Sequence, residues 1–150
     1  MAAASAICDR PRRNSDTAPG MSRDNLEQAR RAYAEPDPLT ALAAIAAPEV
    51  EIDLTAVYPD QPVLRGIDEA RRFRDTSPWG ASQRFEPERY FDIDDERVLV
   101  FLRATATGQV SGTAVEARPA HELTIRNGRL VRLKVYLDRA EALEASGLRK

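Results

Sequence analysis

The 150-residue chain holds one cysteine, Cys8, one histidine, His121, and one tryptophan, Trp79. A lone cysteine excludes an internal disulfide and any cysteine metal cluster. A lone histidine without clustered Asp or Glu leaves no ligand set at metal-binding spacing, so no metal is expected. No apolar run approaches the ~18 residues that a membrane helix needs. The apolar start, Met1 to Ile7, is short, and basic residues follow it, the reverse of a secretory signal. Net charge is −2, and no basic run interleaves with aromatics, so the electrostatic footprint of a nucleic-acid binder is missing. These absences point to a cytoplasmic protein with neither nucleic acid nor membrane as partner. What is present is ordinary for one soluble domain: 43% hydrophobic and 31% charged residues. A chain of this size buries roughly 70% of its unfolded surface, enough to leave room for an interior pocket.

Residues 1–21 lack periodicity and end in Ala18-Pro19-Gly20, which reads as a tail. Met21 is either an internal residue or a second translation start. The domain then spans 22–150. Ser22 is placed to cap a helix with Leu26, Ala29 and Tyr33 on one face. Asp37-Pro38 opens a second helix carrying Leu39, Leu42, Ile45 and Ala46. Residues 49–54 alternate as a strand, and Gly66 precedes a third helix that turns Ile67, Ala70 and Phe73 inward. Beyond Ser77-Pro78 the chain becomes β-prone. Strands are expected over 83–93, broken near Pro87, over 97–107, and over 114–126 and 129–137. Asp138 with Glu141 three residues on reads as a capping box for a short C-terminal helix ended by Gly147.

The hairpin around Asn127-Gly128 poses a register problem. A plain two-residue turn sets Leu123 against Arg132 and puts the apolar rows of the two strands on opposite faces. A three-residue turn with Gly128 as a left-handed bulge pairs Ile125 with Arg129, Leu123 with Val131 and Glu122 with Arg132, and the rows coincide. Because burial fixes register, the bulged turn is expected, with His121 on the inner row beside Leu123 and Ile125.

Three segments carry a family resemblance. They are the opening helix–helix–strand from Asn25 to Leu54, the step Arg65-Gly66-Ile67 into the third helix, and the closing hairpin from Ala120 to Asp138. Together, over residues 22–147, they resemble the SnoaL-like polyketide cyclases of the nuclear-transport-factor-two-like superfamily. The resemblance implies an α+β fold: a cone-shaped, curved antiparallel sheet wrapped on three N-terminal helices, with a short C-terminal helix. It also implies an apolar pocket, a small hydrophobic ligand, cofactor-free acid–base chemistry on a carbonyl compound, and a homodimer. The fold also serves non-catalytic binders and accessory modules, so activity stays open.

Candidate residues follow from chemistry and position. His121, on the inner row, can serve as acid, base or hydrogen-bond donor. Asp53 lies where ketosteroid isomerases of this fold carry a general base, yet its strand alternation sets it opposite Val50, Ile52 and Leu54. The oxyanion donors of those isomerases fall at Ala29 and Ala120, which donate nothing, so that particular oxyanion hole is not expected. Tyr33, Phe73, Trp79, Leu123 and Leu133 are candidate pocket residues. The arginines Arg71, Arg72 and Arg74 read as a solvated helix face, and Tyr136 and Arg103 as residues of the opposite row or of one not assigned, candidates for a dimer face.

Overall fold

The computed structural model describes residues 19–61 and 63–148. Helix α1 (Pro19–Arg31) begins three residues before the expected cap at Ser22; residues 1–18, most of the expected tail, lie outside the described residues. Proline is favoured at a helix start, where its missing N–H removes no bond. Helices α2 (Pro38–Ile45) and α3 (Gly66–Thr76) follow, separated by strands β1 (Ala46–Asp53) and β2 (Leu64–Arg65). A 3₁₀ turn at Gly80–Ser82 leads to β3 (Arg84–Asp92), β4 (Arg97–Thr107), β5 (Ala114–Ala117), β6 (Ala120–Arg126), β7 (Arg129–Tyr136) and α4 (Arg139–Ser146).

The seven strands form one sheet in the order β2-β1-β7-β6-β4-β3, with β5 paired to the far part of β4. The α+β fold is as expected, and its sheet, expected antiparallel, is mixed: β1 runs parallel to β7, with Ile52 opposite Leu133. The long stretch of chain between these two strands permits a parallel pair, which no tight turn could join. The expected strand over 114–126 is two strands. Pro119, which has no N–H for a ladder, separates them, and its carbonyl accepts the Leu102 N–H at 3.0 Å. The chain slips again on β3 between Pro87 and Arg89, where a break was expected.

The closing hairpin solves its register differently from the expected bulged turn. Asn127 (φ 53°) and Gly128 (φ 77°) make a two-residue turn that pairs Arg126 with Arg129 and Ile125 with Leu130. Paired positive φ values suit the twist of the flanking strands, and glycine and asparagine reach them at least cost. The extra residue sits one step further on, at Val131, because Thr124 faces Arg132. Beyond that bulge Leu123 faces Leu133, Glu122 faces Lys134 and His121 faces Val135. The apolar rows coincide, as burial demands.

The inner face packs Val98, Val100, Leu102, Leu123, Ile125 and Leu133 against Ala29, Ala32, Leu39, Leu42, Ile45 and Ala70 of the helices. A smaller cluster of Leu99, Ala120, Tyr136 and Ala142 lies on the other face, where α4 covers it. Asp138 caps α4 by accepting the Ala140 N–H at 2.8 Å, and Gly147 ends it in the left-handed region, φ 82°. Among the described residues no helix is long and apolar enough to cross a membrane.

Candidate functional site

Between the helices and the inner face of the sheet the chain leaves a cavity of about 590 Å³. Its walls are mostly apolar: Leu39 and Leu42 from α2, Ile52 and Leu54 from the β1 end, Ala70 and Phe73 from α3, and Leu133 and Val135 from β7. Tyr58 packs edge-on to Phe73 with centroids 5.7 Å apart. Trp79 joins from the loop after α3, and that loop is firmly held. The Ser77 hydroxyl accepts the N–H groups of Trp79 and Gly80 at 3.3 and 3.1 Å, and Gln109 Nε2 donates to the Ser77 carbonyl at 2.6 Å. Gly80 has φ 55°, a backbone that favours glycine, and a Cβ there would lie 2.6 Å from the Gln109 side chain, which would have to shift.

His121 and Tyr33 form the polar centre. The Tyr33 hydroxyl and His121 Nδ1 are 2.8 Å apart, and Phe85 stands edge-on to the imidazole, centroids 5.0 Å apart. His121 is only 4% exposed. Burial pushes its pKa down to about 3 and pushes the Tyr33 phenol well above its ordinary value, with a smaller contribution from nearby Tyr90. Both groups are therefore neutral near pH 7. His121 Nε2 is buried without a hydrogen-bond partner. The tautomer follows from counting donors and acceptors. If Tyr33 donates to Nδ1, the proton sits on Nε2 and only that N–H is unmet; the reverse leaves the phenol proton unmet as well. The dyad therefore presents an unsatisfied N–H donor, a costly group to bury.

Charge on the wall is sparse and compensated. Arg74 and Glu116 are the charged wall residues among those described. Arg74 is a correction to the solvated face expected of Arg71, Arg72 and Arg74. Its side chain is 15% exposed, and Nη1 donates to Asp37 Oδ1 at 2.6 Å, tying α3 to the start of α2. Glu116 accepts from Arg103 at 3.2 Å. Gln83 and Thr105 add neutral polar side chains to the wall.

Of the residues singled out from sequence, His121, Tyr33, Phe73, Trp79 and Leu133 lie together on this cavity, and Asp53 and Leu123 do not line it. Leu123 is fully buried in the core. Asp53 sits on the other side of β1, where it accepts the Thr55 N–H at 2.9 Å, the Thr55 hydroxyl at 2.6 Å and Arg132 Nη2 at 2.6 Å. Burial acts to raise its pKa, but the Thr55 hydrogen bonds and the charges of Lys134 and Arg132 outweigh it and hold the carboxyl below its ordinary value. Phe85, Gln83, Thr105, Tyr58 and Glu116 were not singled out. The period-two pattern around Phe85 was the available signal, blurred by Pro87 and the slip beyond it. Among the described residues no three His, Cys, Asp or Glu stand where they could hold a metal ion.

A profile of the SnoaL-like domain family matches residues 26–133, which takes in the dyad, the three N-terminal helices from Leu26 on, and most of the sheet. The chain belongs to the SnoaL-like family. Solved structures agree on the fold. A protein described as a SnoaL-like polyketide cyclase from Jannaschia sp. CCS1 superposes with a TM-score of 0.64 at 14% identity, covering 91% of this chain and 99% of that one. A phenazine biosynthesis-related protein from Pseudomonas aeruginosa gives 0.67 at 15%, over 93% and 90%. TerC, co-crystallised with polyporic acid, gives 0.62 at 19%, over 83% and 98%. Identities this low speak for the SnoaL-like fold alone. No curated protein sequence matches the chain.

Proposed function

We propose that this SnoaL-like domain holds a small, mostly apolar carbonyl compound in the cavity and polarises its oxygen through His121 Nε2–H. The observation that carries this reading is the buried imidazole whose Nδ1 is met by Tyr33 and whose Nε2 is met by nothing. The cavity volume suits a compound of two or three fused rings or a ring with a short chain. Its charges are already paired, so a neutral ligand fits better than a carboxylate. The Jannaschia and TerC structures support a small-molecule role through the cyclase description of one and the polyporic acid in the other.

The chemistry is electrophilic. A neutral imidazole donating to a carbonyl oxygen gains strength as that oxygen turns toward an enolate, so the interaction favours the enolised form over the ketone. With a pKa near 3, His121 is too weak a base to hold a proton at neutral pH, so donation is its part. Isomerisation or cyclisation is the reaction class this serves, with Glu116, the one wall carboxylate among the described residues, as the group to take the proton from the α-carbon. A second reading, binding without turnover, rests on the wall's one carboxylate among the described residues, Glu116, being tied to Arg103. A homodimer belongs to either reading, by analogy with the family.

The test uses 1-tetralone and its hydrocarbon counterpart tetralin, with Trp79, the chain's one tryptophan, as the fluorescent reporter. His121→Gln should weaken tetralone binding by about 5–30-fold, the scale of one neutral hydrogen bond, and leave tetralin unchanged. Equal binding of the two compounds by the native protein, unaffected by the substitution, would sink the reading. Deuterium exchange at the carbon next to the carbonyl, followed by NMR, separates turnover from binding alone.

A further inference from the structure

A second hollow, of about 300 Å³, lies beside the cavity, and Tyr33, Phe85 and Thr105 line both. These three residues are thus the partition between the two spaces. The outer hollow differs in chemistry: besides Pro36 it is lined by Glu35, Arg84, Glu86 and Arg103. Phe85 is the member of the partition that packs edge-on to the His121 ring, and His121 Nε2 is shielded from solvent.

Of the three, Phe85 is the one best placed to move. It is half-buried and stands on β3, an end strand of the sheet whose one neighbour is β4. The pairing is interrupted between Pro87 and Arg89, a few residues further along. Tyr33 is fixed by its bond to Nδ1, and Thr105 is short. Strands with a single neighbour and a broken ladder open more readily than central ones.

We propose that Phe85 is the specificity-determining residue of this site, an internal gate that decides how long a ligand can be. Closed, it confines the ligand to the apolar cavity. Swung aside, it joins the cavity to the outer hollow, which takes the tail of an elongated ligand whose carbonyl end stays at His121. The inference rests on the carbonyl reading above, and the experiment separates the two.

The probes are the straight-chain phenyl ketones from acetophenone to octanophenone, titrated by Trp79 fluorescence into native protein and into Phe85→Ala and Phe85→Leu. In the native protein affinity should rise with chain length and then stop rising once the cavity is full. Phe85→Ala should move that break at least three carbons further and bind octanophenone tenfold or more tighter, with acetophenone within twofold of native. Phe85→Leu should lie between, and it stands in if the alanine variant does not fold. An unchanged length profile in folded variants, with acetophenone still bound in a His121-dependent way, overturns the gate and spares the carbonyl reading. If no ketone binds the native protein, the carbonyl reading falls, and the gate is judged on the lone imidazole by NMR. Phe85→Ala or Phe85→Leu must then raise the His121 pKa by a unit or more as water reaches it; an unmoved value overturns the gate.

Discussion

His121 ties the stability of the domain to pH. Its pKa of about 3 in the folded chain lies below the ordinary 6.5 of an exposed histidine. A depressed pKa means that the unfolded chain binds a proton where the folded one does not. The stability this confers is fully present above pH 6.5 and is lost progressively as pH falls towards 3. From pH 7 to pH 5 the native protein should lose about 2 kcal/mol of unfolding free energy through this one group. Urea melts at the two pH values check it, and His121→Gln should remove that component of the slope. Asp53 gives the contrasting case. Its carboxylate answers Thr55 and Arg132 away from the cavity, so Asp53→Ala should destabilise by ~1–3 kcal/mol and leave tetralone affinity within twofold. A tetralone affinity that drops tenfold in a folded Asp53→Ala protein would return Asp53 to the site. Alternation alone placed both residues, His121 with the inner row and Asp53 against it. The partner of His121 was out of reach, because Tyr33 is 88 residues away along the chain and nothing local joins them.

At the scale of elements, the hairpin shows which part of a register the sequence specifies. Burial requires Leu123 and Leu133 to share a face, and they do. Burial does not say where the odd residue goes. The Asn127-Gly128 pair prefers a two-residue turn, and Val131 takes up the slip instead. Pro119 carries a local signal, the missing N–H, that could have divided the expected strand over 114–126. The loop after α3 is set by a different kind of constraint. The Gly80 backbone is left-handed and pressed against Gln109, a residue on the far turn between β4 and β5. Gly80→Ala should therefore cost ~1–3 kcal/mol, strain and clash together. Adding Gln109→Ala removes the clash but not the strain, so the double variant should recover part of the loss. Thermal melts of the two variants decide it, and a Gly80→Ala protein as stable as the native one would contradict the account. Because Trp79 precedes Gly80, the same variant should also shift the fluorescence maximum, linking a turn to a cavity wall.

For the whole molecule, the decisive surface is the sheet face turned away from the cavity. Part of it is covered by α4 over Leu99, Ala120 and Tyr136. The rest mixes half-buried Phe91, Ile93 and Phe101 with pairs of opposite charge. Arg132 meets Asp53 at 2.6 Å and Glu51 at 3.9 Å, and Arg65 meets Glu51 at 2.6 Å. Arg97 meets Glu122 at 3.1 Å, and Lys134 lies over the Tyr136 ring at 5.2 Å. A second copy docking on the charged part of this face, beside Phe91, Ile93 and Phe101, would gain from charge pairs and hydrogen bonds at a polar interface. Exposed charge pairs weaken as salt shortens the range of electrostatic attraction to ~3 Å at 1 M. The homodimer proposed by family analogy should, on this face, be salt-sensitive: dimeric by sedimentation at micromolar concentration in 50 mM NaCl and increasingly monomeric in 1 M NaCl. Arg132→Glu places like charges beside Asp53 and Glu51 and should weaken the dimer at low salt. A monomer mass at both salt concentrations would remove the homodimer. A dimer indifferent to salt would move its interface to the exposed apolar residues around the cavity mouth, Tyr58, Val115 and Leu137. In that case ketone binding and association should compete, because both would draw on the same rim.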